Sequence, residues 1–211
     1  PTPPPVISTP VSKPGAAQRD LIDKGSPERA AQINQRLQWL ESLPPALLAS
    51  WDLLHEGKLH KAEQLCRQFM RQNPQHIDGM RVLAEIATRH GVLEDAEFLL
   101  ESAVEFEPEH RQARIDYVQI LSKRQRFQRA VDEAKALLDQ APDNPQLQSL
   151  YAIQCMQLGD YESALALFDK ILDRVPHDPV TNVSKGHALK TGGRSEDAIA
   201  AYRNALKSQP F

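Results

Sequence analysis

The stretch "HEGKLH" is the nearest thing in this sequence to a metal-binding motif. A zinc pair on one helical face wants histidines four apart, so that both imidazoles project from successive turns. His55 and His60 are five apart, and Gly57 between them reads as a helix stop. The expectation is two surface histidines flanking a turn, with no metal. Cys66 and Cys155 have no CxxC spacing, so neither a disulfide framework nor a thiolate metal site is indicated. "KTGGRSED" carries glycines and basic residues, but a phosphate cradle needs a strand before it, and here the flanking apolar spacing is helical. GxSxG, GxxxxGK[ST] and GxGxxG are absent. No catalytic residue and no cofactor is expected.

Composition narrows the remaining classes. The 211 residues carry 25 basic and 28 acidic side chains, mixed throughout, for a formal charge of −3. No basic block marks a nucleic-acid footprint. No apolar run approaches the roughly 18 residues that span a bilayer, and no signal-peptide core is visible, so the reading is no membrane and a cytoplasmic setting. Aromatics are only 6% of the chain, which favours helices built from Ala, Leu, Gln, Glu and Arg.

What would position any functional side chain is a repeat. Pro74, Pro108, Pro142, Pro176 and Pro210 are each 34 residues apart. Twelve residues before each stands an alanine: Ala62, Ala96, Ala130, Ala164 and Ala198. Five before each alanine comes Gly57, Gly91, Gln125, Gly159 or Gly193. The alanines let two helices approach closely, the glycines fall where a helix must end and turn, and the prolines end a second helix. Apolar residues at i, i+4, i+7 and i+8, such as Ala164, Phe168, Ile171 and Leu172, complete an amphipathic pair in each period.

A helix pair recurring every 34 residues resembles the tetratricopeptide repeat (TPR). The resemblance covers roughly residues 43–211 and implies an all-α, right-handed superhelical solenoid of five antiparallel helix pairs, with a concave and a convex side. The expected division is a Pro-rich flexible tail (1–25), an N-terminal capping helix (26–42) and a repeat array (43–76, 77–110, 111–144, 145–178, 179–211). Phe69, Leu137 and Ile171 depart from the small residue that the family often uses seven after the alanine. Lys185 stands in the column of Leu83, Tyr117 and Tyr151. In this frame Cys66 and Cys155 lie several layers apart, beyond disulfide reach, and read as buried small hydrophobes.

Both ends of the array differ from its middle. "SPERAAQINQRLQWLESL" starts with Ser26 as N-cap and Pro27 in the first turn, and Ala30, Ile33, Leu37 and Leu40 make one face. This helix is expected to cap the first repeat and cover Leu47, Trp51 and Leu54. At the other end Ile199, Tyr202 and Leu206 form an apolar stripe followed only by a few residues. That stripe is a candidate assembly face for a second copy, and the native chain is expected to continue past Phe211.

The predicted site is the concave groove, lined by first-helix residues displaced from the core stripe. These are Asp78, Arg81, Glu85, Thr88 and Arg89, then Gln112, Gln119 and Lys123, then Gln146 and Met156, then His187 and Lys190. Their polarity suits a peptide or protein ligand. The Lys/Asn/Arg clamp with which some TPR domains hold chaperone tails is not matched by Leu47, Trp51, Arg81, Val82, Ile115 and Asp116.

A narrower resemblance lies in "SKGHALKTGGRSEDAIAAYRNALKSQP" and "LAEIATRHGVLEDAEFLLESAVEFEPEHRQARIDY". Both are similar to repeats upstream of the catalytic region in bacterial TPR–sulfotransferase fusion proteins. That resemblance implies a non-catalytic N-terminal region and, as a possible partner, a C-terminal sulfotransferase domain of the same protein. No catalytic residue is carried over with it.

Overall fold

In the computed structural model, residues 27–207 are described, with side chains from Ile33 onward. The proline-rich segment, the Ser26 cap, the Ala30 side chain, Pro210 and Phe211 lie outside the described residues. Eleven helices and no strand occur among those described. They are α1 (Pro27–Ser42), α2 (Pro45–His55), α3 (Leu59–Gln72), α4 (Ile77–His90), α5 (Leu93–Phe106), α6 (Arg111–Lys123), α7 (Phe127–Gln140), α8 (Pro145–Leu158), α9 (Tyr161–Arg174), α10 (Pro179–Thr191) and α11 (Ser195–Leu206). None is long and apolar enough to cross a membrane.

From α2 onward each helix packs on the next, and the first helices of successive pairs also touch, α2 with α4, α4 with α6 and α8 with α10. The first helices thus form the inner layer of a solenoid, and the second helices spread along its outer side. The five column alanines sit where each pair closes, with 0% exposure for four of them and 2% for Ala198. Any larger side chain there would part the helices. Leu137 and Ile171, larger than the family norm at their position, are fully built into the core, and Phe69 is half-buried.

The turn inside each pair is the same motif five times. The amide after the turn residue donates to a carbonyl five residues back, as in Val92 to Ala87 (2.9 Å) and Arg126 to Leu121 (2.8 Å). This is the Schellman closure, which needs a left-handed residue. Four pairs supply glycine, and the third holds Gln125 at φ 60°. The motif's geometry therefore overrides the side chain's preference at that position.

Between pairs a second device repeats that periodicity of apolar residues did not reveal. His76, His110, Asn144 and Asp178, again 34 apart, cap the first helices by accepting a backbone amide of the first turn. Six residues after three of the column prolines, Arg114, Gln148 and Asn182 reach back to the carbonyls of Pro108, Pro142 and Pro176 at 2.9, 2.7 and 3.2 Å. Gln148 and Asn182 are buried, and these bonds give their amide nitrogens a partner, while Gln148 Oε1 has none among the described residues.

Candidate binding groove

Helices α1, α2, α4, α6 and α8 surround an open hollow of about 960 Å³ on the inner side of the solenoid. Its N-terminal end is built from alternating cations and aromatic rings. The Arg36 guanidinium lies 5.2 Å from the Trp51 ring centroid, Trp51 meets Trp39 edge-on at 5.0 Å, and Arg81 lies 4.8 Å from Trp39. Each contact places a positive group or ring edge over a negative ring face. Trp39 and Trp51 are the only tryptophans of the chain, and both line the groove.

Arg81 is held from several sides. Its Nη1 donates to Asp78 Oδ1 at 2.6 Å and its Nε to Asp116 Oδ2 at 2.7 Å. The Trp39 indole N–H donates to the same Asp78 oxygen at 2.7 Å, and Gln112 Nε2 donates to Asp116 Oδ1 at 3.0 Å. With its side chain only 9% exposed, Arg81 joins α1, α4 and α6 and has little charge left for a ligand. Asp78 is a buttress behind this wall. Arg89 is paired with Glu85 at 3.0 Å, and the Thr88 hydroxyl donates to the Ala84 carbonyl at 2.9 Å.

The other half of the groove is less committed. Gln119 and Lys123 on α6 and Gln146 on α8 are exposed, and their side chains have no partner among the described residues. At the N-terminal end Arg36, although it lies over the Trp51 ring, has no carboxylate partner among the described residues. Between them lie the apolar side chains of Ile115, Leu150 and Ile153.

Of the residues expected in the groove, Arg81, Glu85, Thr88, Arg89, Gln112, Gln119, Lys123 and Gln146 line this hollow together. Met156, His187 and Lys190 do not. Met156 packs on the core between the last two pairs, and His187 faces Tyr202 at a ring separation of 5.7 Å. Sequence reasoning passed over Arg36 and Trp39. Its stripe on α1 counted Leu40 and skipped the indole beside it, because Trp39 packs onto the inner wall and not into the axial core.

On the last helix Ile199 and Leu206 are 50% and 60% exposed. Tyr202 is half-buried and occupied, since its ring lies over Gly186 so closely that an added Cβ would sit 2.4 Å from it. The two thiols are inert by position: burial pushes Cys66 up to about 12 and raises Cys155 as well.

A family model described as "Cytochrome c-type biogenesis protein H TPR domain" matches residues 67–181, just over half of the chain. The chain belongs to this tetratricopeptide repeat family. A second model, "Tetratricopeptide repeat", matches residues 181–211. No curated protein matches significantly. Among solved TPR-like structures, MamA residues 41–end from Desulfovibrio magneticus RS-1 superposes with a TM-score of 0.67 at 14% identity, covering 79% of this chain and 96% of that one. Another crystal structure of MamA gives 0.63 at 15% identity, covering 75% and 92%. YrrB, titled "a TPR protein with an unusual peptide-binding site", gives 0.62 at 13% identity, covering 88% and 93%. At such identities the likeness is one of fold.

Proposed function

We propose that this TPR chain is a non-catalytic protein-interaction scaffold whose concave groove holds an extended peptide or a segment of a protein domain. The observation that carries this reading is the division of the groove into a closed end and an open one. The cations at the Trp39 end are neutralised or stacked, whereas Gln119, Lys123 and Gln146 have no partner among the described residues and stand beside Ile115, Leu150 and Ile153. Free amides can pair with the main chain of an extended ligand, and the apolar residues can take alternate side chains. Lys123 and Arg36, without carboxylate partners among the described residues, favour acidic residues in that ligand.

The two groove tryptophans supply the assay. Titration of an acidic–apolar peptide library is expected to change intrinsic fluorescence saturably, and Lys123→Glu is expected to weaken binding at least tenfold. Equal affinity of Lys123→Glu, or a preference for basic peptides, would overturn the reading.

A second reading, in which the array docks or positions a sulfotransferase domain, is favoured by the resemblance of residues 184–210 and by the exposure of Ile199 and Leu206. Joining the two parts should then protect α11 from hydrogen exchange. The array alone should not bind phosphoadenosine phosphosulfate in a calorimeter.

A further inference from the structure

On the face of α4 turned away from the groove lies a smaller hollow of about 270 Å³, enclosed by α3, α4 and the start of α5. It shares no residue with the groove. His60 and Glu63, one turn apart on α3, meet His90 at the end of α4, and one ligand atom from each lies within 4.8 Å of the others. His90 Nε2 is 3.5 Å from Glu63 Oε2, and the two imidazoles are 6.3 Å apart. Asp95, in the first turn of α5, lines the same hollow.

We propose that His60, Glu63 and His90 form a binding site for one divalent zinc-like cation that clips the first helix pair to the second. Two imidazoles and one carboxylate are a donor set that suits Zn²⁺, with a water completing the tetrahedron. Bonds of about 2.0–2.2 Å place tetrahedral ligand atoms about 3.4 Å apart. The His90–Glu63 pair is already at that spacing. The remaining closure falls to His60, an exposed side chain near the start of its helix.

The carboxylate is also oriented for the task. Arg67 Nε donates to Glu63 Oε1 at 2.7 Å, which turns Oε2 toward His90. A hydrogen bond to the far oxygen of a ligating carboxylate is the usual way such a ligand is held. His55, the neighbour that the sequence offers for His60, is engaged elsewhere. It lies at the end of α2, its ring tilted 45° against that of Trp51 at 4.6 Å, with its Nδ1–H donating to the Trp51 carbonyl at 2.9 Å. The site therefore pairs His60 with a residue at the far end of the next helix, across the boundary between the first and second pairs.

The test is calorimetric titration of the full chain with zinc chloride at neutral pH, with thermal melts in parallel. Expected are one-to-one saturable binding and a melting temperature that rises with zinc and then levels. His60→Gln and His90→Gln should each weaken binding at least tenfold, and His55→Gln should leave it unchanged. Far-UV circular dichroism checks that the variants fold, as exposed positions should allow. Zinc binding no tighter in the wild type than in the His60→Gln/His90→Gln double variant would overturn the site. So would loss of binding in His55→Gln.

Discussion

The second and third helix pairs and the fifth pair use one backbone plan and join their helices by different means. In the second and third pairs, side chains reach from layer to layer. Arg81 spans to Asp116, Arg124 bonds Glu94 at 2.7 Å and also Glu97, and Arg129 bonds Glu101 at 2.6 Å and also the Tyr117 hydroxyl. Within the fifth pair the two helices come close, although Lys185 still reaches Asp169 of the fourth pair. Gly186 faces the Tyr202 ring, and Ala188, Ala198, Ala201 and Ala205 are all buried. Long charged side chains bridge layers that remain partly wet, whereas small residues let backbones approach closely. The lesson is that the 34-residue period fixes where helices lie, while side-chain size decides how closely two of them approach and what bridges them.

The largest expected effect that exploits this contrast is at Tyr117, whose ring is buried and whose hydroxyl donates to Glu101 at 3.1 Å. Tyr117→Ala should cost about 3–5 kcal/mol in urea unfolding, and Tyr117→Phe only about 1 kcal/mol. Equal losses would mean that the charge network, and not the ring, holds the central pairs. Next comes Gly186→Val, which should cost about 1–3 kcal/mol by forcing Tyr202 aside. Hydrogen exchange should then rise in α10 and α11 while α4–α6 stay protected, as expected of an array with nearest-neighbour stability.

A smaller gain is expected from Gln125→Gly. It restores the residue suited to φ 60° and should stabilise the chain by about 1 kcal/mol in a thermal melt. The same change at a turn that already has glycine is unavailable, so this third turn is the one place where the series can be tested by improvement.

The smallest effect concerns pH. The hydrogen bond from Arg129 holds Glu101 below its ordinary value of 4.5, against the opposing effect of burial and with help from Tyr117. A carboxylate depressed in the folded state contributes stability above its unfolded pKa and loses it as pH falls through the folded one. Stability should therefore drop slightly more between pH 6 and pH 3 in the wild type than in Glu101→Gln. The difference should be modest because Glu101 and Arg129 are largely solvated. No such difference on removing Glu101 would assign the acid sensitivity to other pairs.

Much of the scaffold could be read directly. The alanine and glycine columns fall at closed helix contacts and left-handed turns, and Pro74, Pro108, Pro142 and Pro176 fall just past helix ends, because each depends on a residue's own backbone preference or size. The cap series at His76, His110, Asn144 and Asp178 was present at the same period and hidden by its mixed chemistry. The groove was readable as a set of inner-face positions on α4, α6 and the start of α8. It was not readable at Met156 and His187, where neighbouring helices turn the expected face into core or a ring contact.

The sequence by itself determined the helix pairs, their period and the side on which a groove would form, since these follow from local propensity and apolar spacing. Only the tertiary structure decided which groove residues are spent on one another. It brought Trp39 onto Arg81 and Asp78, left Lys123 without a partner among the described residues, and set His60 beside His90 instead of His55. Those outcomes depend on distances between side chains tens of residues apart, which packing sets and no local pattern encodes.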